Sequence, residues 1–381
     1  MTNLVTSQNQ NVSNWEKRLD DSRILPVLQE RIDEAEKDGR KPFSDFNDLE
    51  MLQWFLLKRE HLDEAKDKSL RTREEYKRDL VQFIRFLVEY QEEIGVDITE
   101  IREGSLFKSL DERHIRRYQE WLATKSPHVK RHGSYSPYTL ARKTTVLRNF
   151  LSFLYMEGYI DKPIHKGLKK ATVNRDDAPD RDLGPVEVKQ LLDHFKKNGH
   201  TIAFALIHVL VTTGIRNEEL CRLKVKDIKY DTIHGEYYLD VMGKGNKRRQ
   251  VPLRDKTVES IRMFRSARGL VDFESADKEQ PLFTTNRGKA YSPSYLSQYL
   301  KEAIKSSNLP FVKNRDTVIT PHTFRHAFAI ISKMSGADLY DIMRSLGHAR
   351  VDTTMIYLNK VFERENHAIH KWNSEIFSDY I

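Results

Sequence analysis

Cysteine is nearly missing from this chain: Cys221, inside EELCRL, is the only one in 381 residues. An internal disulfide is thereby excluded, zinc has no thiolate cluster to bind, and a reducing cytoplasm is the compartment that suits such a chain. Long apolar runs are missing too. No stretch reaches the roughly 18 residues of a membrane span, and MTNLVTSQNQNVSNW lacks the charged lead and apolar block of a secretory signal, so no membrane association is expected. An acidic excess is also lacking. Lys plus Arg total 64 against 56 for Asp plus Glu, and the net charge of +8 suits a polyanionic partner without demanding one. There is no long internal repeat, and no carboxylate cluster is spaced to hold a pair of magnesium ions.

What is present is helical spacing. With 381 residues, of which 39% are hydrophobic and 31% charged, the chain exceeds one compact domain and fits two plus tails. Residues 1–45 are polar, and only ILPVLQERI suggests a short amphipathic helix, so a loosely attached tail or arm is expected there. Over 46–165 the pattern predicts a helical bundle. FNDLEMLQWFLLKREHL reads as a helix, and TREEYKRDLVQFIRFLVEY sets Tyr76, Leu80, Phe83, Ile84, Leu87 and Val88 on one stripe. Similar spacing aligns Ile115, Tyr118 and Leu122, and then Leu140, Val146, Leu147, Phe150 and Leu154. On this last helix Arg142, Lys143 and Arg148 either solvate the surface or face DNA. Residues 166–182, KGLKKATVNRDDAPDRD, are charged and poor in large apolar groups, which predicts an interdomain linker.

A second domain is expected over 183–381, with a tail from about residue 360. PVEVKQLLDHFKKNG and TIAFALIHVLVTTGI are helical; the period then changes to two in EYYLDV and RRQVPLR, joined through GKGN as a hairpin. Helices resume in PSYLSQYLKEAIKSS, PHTFRHAFAIISKM, DLYDIMRSL and VDTTMIYLNKVF. The fold class expected is mainly α with a small antiparallel β-sheet.

Four clusters carry chemistry. In TTGIRNEELCRL, Arg216 offers a planar fork to a phosphate or carboxylate, and Glu219 lies on the same helical face; taken alone, the two read equally as a structural ion pair. MGKGNKRRQVPL crowds Lys244, Lys247, Arg248 and Arg249 at a glycine-bordered hairpin tip, which is either a solvated basic turn or a backbone-contacting one. Its glycine spacing excludes a nucleotide-binding P-loop. In ITPHTFRHAFAI, Thr320 can cap a helix, Pro321 suits its first position, and His322 and Arg325 then share a face where free N–H groups favour an anion. His322 and His326 have zinc spacing, but the metalloprotease glutamate and a third ligand are missing. LGHARVDTTMIYL places His348 on the bend after Gly347 and Tyr357 nine residues later, on a helix that Asp352 can cap. A tyrosine beside apolar neighbours is ordinarily a packed one.

Together the clusters gain meaning. Two arginines, a lysine and two histidines suit a pentavalent phosphorus transition state, whose negative charge grows on the nonbridging oxygens. Tyr357 supplies a nucleophile; its phenol, ordinarily with a pKa of about 10, needs cations and a proton acceptor nearby. Cationic side chains then stand where metal ions otherwise stabilise charge, and the chemistry suggested is metal-free transesterification.

Arg216 in TGIRNEEL, Lys244 in GKGNKRR, HTFRH at 322–326, LGH at 346–348 and Tyr357, in that order, resemble the tyrosine recombinases, the family of phage integrases and Xer-like resolvases. The resemblance spans residues 183 to about 360, and the helical segment before it is similar to the family's core-binding domain. It implies that Arg216 and Arg325 grip the scissile phosphate, Lys244 protonates the leaving 5'-hydroxyl, and His322 assists proton transfer from the nucleophile. His348, at a position the family fills with His or Trp, is implied to hydrogen-bond the phosphate, with Glu219 supporting Arg216. Tyr357 is implied to form a 3'-phosphotyrosyl bond, with neither metal nor other cofactor. The implied partner is a double-stranded DNA recombination site, with Arg142, Lys143, Arg148, Lys247, Arg248 and Arg249 as candidate DNA contacts. The resemblance further implies a homo-tetramer on two DNA sites, alone or together with a related recombinase. A C-terminal tail would dock in a neighbour, or else pack on its own domain, through anchors drawn from Phe362, Ile369, Trp372, Ile376 and Phe377.

Other functions fit parts of the pattern. A non-catalytic DNA-binding accessory protein would use the basic bundle but has no physical need for His322, His348 and Tyr357 together. An enzyme that relaxes DNA without joining two sites would share the chemistry. Among recombinases, the long N-terminal segment tilts the reading towards a mobile-element integrase or a transposon or plasmid recombinase, with a dimer resolvase of the Xer type as the alternative.

Overall fold

The computed structural model describes residues 15–59, 61, 67–98, 100–171, 182–243, 247–365 and 367–371. The chain divides into two compact units, Met1–Ala178 and Pro179–Ile381.

The first unit is helical. Its longer helices are α1 (Ile24–Lys37), α2 (Asp48–Leu57), α3 (Leu70–Glu89), α4 (Glu112–Thr124) and α5 (Pro137–Met156). Local sequence sets where they begin. Asn47 accepts from the Glu50 N–H while the Glu50 carboxylate accepts from the Asn47 N–H, a reciprocal cap on α2. Ser69 and Ser136 cap α3 and α5 in the same position, and Pro137 occupies the first turn of α5, where its missing N–H costs nothing. The apolar stripe of α3 buries Leu80, Phe83, Ile84 and Leu87. Phe150 of α5 lies edge-on to Phe55 and Phe107, with ring centroids 5.2 Å away in each pair. Each such buried ring contributes about 1.5–3 kcal/mol from burial alone.

Two boundary expectations differ from what the structure places here. The described part of the polar segment 1–45 is not a detached tail, because Leu19, Leu28, Ile32 and Phe43 all join the first core. Leu28, Ile32 and Ala35 recur at helical spacing on α1 among charged residues, so a narrow stripe is buried where overall polarity suggests solvent. The expected linker 166–182 also starts late. Leu168 is buried in the same core, and Arg148 donates to the carbonyls of His165 and Leu168. Residues 172–181 of that linker lie outside the described residues.

The second unit contains α6 (Pro185–Lys197), α7 (Thr201–Thr213), α8 (Asn217–Arg222), strands β1 (Ile228–Asp231), β2 (Glu236–Met242) and β3 (Arg248–Leu253), then α9 (Asp255–Ala267), α10 (Pro293–Ser306), α11 (Pro321–Met334), α12 (Leu339–Leu346) and α13 (Val351–Glu365). The strands form an antiparallel meander in the order β1-β2-β3, with Leu239 opposite both Ile228 and Val251. That register turns Leu239, Val241, Val251 and Leu253 into one core. Helix α7 is apolar nearly all round and sits in that core, with Ala205, Leu206, Ile207, Val209 and Leu210 fully buried. The architecture is mainly α with a small antiparallel sheet, as expected. A smaller apolar cluster joins Ala329, Ile330, Ile342, Leu346, Tyr357 and Leu358 across α11, α12 and α13, and Phe362 packs against it. Among the described residues no helix is long and apolar enough to cross a membrane.

Candidate active site

The site is built where helices end. Gly214 closes α7 in the left-handed region, φ 61°, and a Cβ there would meet the Phe328 ring at 2.7 Å and Leu346 at 3.0 Å. Only glycine satisfies both the conformation and the space. The sharp exit delivers Arg216 to the start of α8, where Glu219 accepts from the Arg216 backbone N–H at 2.7 Å and from its Nη1 at 2.9 Å. From β3, Arg249 donates Nη1 and Nη2 to the two oxygens of the same carboxylate, at 3.0 and 2.7 Å. Burial pushes the Glu219 carboxyl up, but the hydrogen bond and charge of Arg249, and then Arg216, hold it down at about 2.

Arg325 stands on the first turns of α11, behind Pro321, and is buried to 1% exposure. Its guanidinium donates to the carbonyls of Gly214 at 2.7 Å and Leu346 at 2.6 Å. These oxygens belong to the C-terminal ends of α7 and α12, where helix dipoles present partial negative charge to a cation. Burial and the neighbouring Arg216 lower the Arg325 pKa to about 10, against the nearby Tyr357 phenol and Glu219 carboxylate, which raise it, so the group stays charged near neutral pH.

Gly347 ends α12 at φ 66° and turns the chain into His348. The His348 Nδ1 lies 2.8 Å from the Thr354 hydroxyl of α13. Burial, and then the charges of Arg325 and Arg216, drive its pKa down to about 3, so the imidazole is neutral. Where the Thr354 hydroxyl donates to Nδ1, the ring proton sits on Nε2. Tyr357, one turn beyond Thr354 and 8% exposed, packs its ring against three imidazoles. The centroid distances are 3.8 Å to His326, 5.3 Å to His348 and 5.8 Å to His322. His322 is exposed at the rim, with its Nε2 3.3 Å from that of His326.

Five of the expected residues, Arg216, His322, Arg325, His348 and Tyr357, thus converge, and Glu219 stands behind Arg216. Lys244 lies outside the described residues. The hairpin that carries it closes beside the site: the Gly243 N–H donates to the Lys247 carbonyl, and a Cβ on Gly243 would stand 3.5 Å from Glu219 Oε1.

The candidate DNA contacts divide. Lys247 and Arg248 are exposed. Arg249 is not a free surface cation, since Glu219 and the Ser345 carbonyl hold it. Arg142 and Lys143 both clasp the buried Asp79, at 2.6 and 2.8 Å, and Arg148 is tied to backbone carbonyls. Sequence shows a positive charge but not a partner 63 positions earlier. Two further residues went unremarked as site members: Thr354, and His326, whose zinc spacing drew attention away from its position beside Tyr357. Among the described residues, no group of three His, Cys, Asp or Glu is placed to hold a metal ion.

This geometry has relatives. Residues 181–364 match the Phage integrase family. The tyrosine recombinase XerC of Thermodesulfovibrio yellowstonii is 33% identical over 230 residues, covering 58% of this chain and 70% of that protein. The chain belongs to the tyrosine recombinase family. It is a site-specific recombinase, an enzyme of DNA strand exchange. This recombinase also matches XerC of Chlorobaculum parvum, 28% identical over 326 residues, covering 80% of this chain and 89% of that protein. Among solved structures, XerH site-specific recombinase bound to its palindromic difH substrate superposes with a TM-score of 0.59 at 22% identity, covering 80% of the recombinase and 81% of that chain. A lambda integrase dimer bound to a COC' core site superposes with a TM-score of 0.55 at 16% identity, over 77% and 72%. These two likenesses concern the fold.

Proposed function

We propose that this recombinase cuts and rejoins double-stranded DNA through Tyr357, without metal or other cofactor. The observation that carries the reading is the convergence of two charged arginines and three imidazoles on one phenol. The Tyr357 oxygen attacks the scissile phosphorus, the P–O5' bond breaks, and a 3'-phosphotyrosyl link forms. His322 accepts the phenolic proton, and Lys244 gives a proton to the departing 5'-oxygen. Arg216 and Arg325 face the nonbridging oxygens where charge grows, and neutral His348 donates a hydrogen bond there. One phosphodiester replaces another, so resealing by an incoming 5'-hydroxyl needs no ATP. Lys247 and Arg248 are the exposed hairpin cations available to the DNA backbone.

Strand exchange between two duplexes calls for four copies, so the working form in this reading is a tetramer of the chain, alone or with a related recombinase. Residues 366 and 372–381 of the tail lie outside the described residues, while Ile369 is exposed and suited to a neighbouring copy. The biological reaction we favour is integration or excision of a mobile element; the XerC relatives support dimer resolution as the second reading.

The test incubates the full chain with sheared DNA of its source and collects protein-linked fragments after denaturation. The expected result is a covalent adduct at one sequence, lost in Tyr357→Phe. No adduct, or one that persists in Tyr357→Phe, overturns the assignment. Fragments mapping to the ends of a mobile element support integration, whereas a single locus fixed in the chromosome supports dimer resolution.

A further inference from the structure

The two cations on Glu219 are not equivalent. Arg216 has 34% of its side chain exposed and reaches the site, whereas Arg249 has 12% exposed and spends its donors on protein: Nη1 and Nη2 on Glu219, and Nε on the Ser345 carbonyl at 3.1 Å. Its stem packs on Gly347, where a Cβ would come within 3.2 Å of the Arg249 Cδ. One side chain thus ties the hairpin strand β3 to the start of α8 and to the turn that carries His348. Its electrostatic consequence is larger than its packing. Glu219, 5% exposed, is a buried anion; with Arg216 alone it would cancel the charge that Arg216 presents to DNA. With Arg249 present, the three groups sum to a net positive charge.

We infer that Arg249 is a positioning residue for strand cleavage, neutralising Glu219 so that Arg216 keeps its charge for the scissile phosphate. The inference rests on the reading of Arg216 given above. It also replaces the expectation that Arg249 contacts DNA. Replacing a DNA-contacting arginine would weaken binding and lower its salt dependence by about one phosphate, whereas replacing a residue that acts through Glu219 would change the rate on DNA already bound.

The experiment uses the full chain and a nicked duplex built on the sequence recovered from wild-type covalent fragments, at saturating protein. Arg249→Gln is expected to slow adduct formation by roughly tenfold or more, below the ~10²-fold or greater loss expected for Arg216 itself. Its salt slope of binding should remain that of wild type. Arg249→Lys keeps the charge and should recover most of the rate. The decisive variant is Glu219→Gln combined with Arg249→Gln. Removing the anion as well leaves Arg216 uncompensated again, so the double variant should cleave faster than Arg249→Gln alone. A purely structural role predicts the opposite, because each loss would add to the damage. Thermal unfolding of every variant identifies those that do not fold, and Arg249→Lys remains informative if Arg249→Gln is among them. Unchanged cleavage in Arg249→Gln, a salt slope lowered by about one, or a double variant slower than the single one overturns the inference. Absence of any wild-type adduct overturns the recombinase chemistry itself.

Discussion

Acid should loosen the second unit through one imidazole. His348 is 8% exposed, and burial together with the Arg325 and Arg216 charges lowers its pKa from an ordinary 6.5 to about 3. An unfolded chain restores the ordinary value, so between those two pH values the unfolded state holds a proton that the folded state refuses. Stability from this group is therefore complete above pH 6.5 and declines as pH falls towards 3. At pH 5 the loss is about 2 kcal/mol, at 1.36 kcal/mol for each pH unit below the unfolded value. Glu219, held at about 2, begins to add its own loss only below its ordinary value of 4.5; burial also lowers the pKa of His208 on α7, and the comparison with a His348 variant subtracts that contribution. Hydrogen exchange on peptides from α11 and α13, corrected for intrinsic rates, reads this unit alone. Between pH 7 and 5, wild type should lose about 30-fold more protection there than His348→Gln, the ratio that corresponds to about 2 kcal/mol. Equal losses in the two proteins would refute the argument. A neutral ring also means that His348 acts as a hydrogen-bond donor rather than a cation, so His348→Trp should retain most of the cleavage rate.

Three further outcomes follow from the packing. Gly214→Ala forces a Cβ into a left-handed residue against the Phe328 ring and moves a carbonyl that seats Arg325; urea titration should show a loss of about 2–4 kcal/mol, with cleavage impaired in parallel. Arg325→Lys keeps a charge but not the two-pronged donation, so covalent adduct formation should fall by roughly 10² while DNA retention in gel shifts changes little. Leu28→Asp places a carboxylate in the first core and should lower the unfolding midpoint of that unit, an effect absent if α1 were a solvated arm.

Much of the site was legible because its residues stand in short motifs with local mechanics. Gly214 and Gly347 mark helix ends, Pro321 marks a helix start, and the side chains just beyond them point into a common space. What stayed hidden is pairing at a distance. A run of basic residues in KRRQ looks the same whether a cation meets solvent or a buried carboxylate, and Glu219 lies 30 positions before Arg249. The same holds for Asp79 beneath Arg142 and Lys143. The packing of helix α1 into the first core escaped for another reason: only a narrow stripe of three small or medium apolar residues is buried, and a mean over the segment hides it. His326 shows the limit of reading motifs singly, since a spacing of four suggests a metal until Tyr357 is placed against the ring.

Arg325 is seated on two main-chain oxygens, and no substitution can delete a main-chain oxygen. The side chains around those turns can therefore drift in size and polarity without unseating the guanidinium, provided Gly214 and Gly347 keep the two helix ends in place. A recombinase that must serve new DNA targets gains from this separation: the surface that reads sequence can be rewritten while the cation at the reacting phosphate stays where the backbone put it.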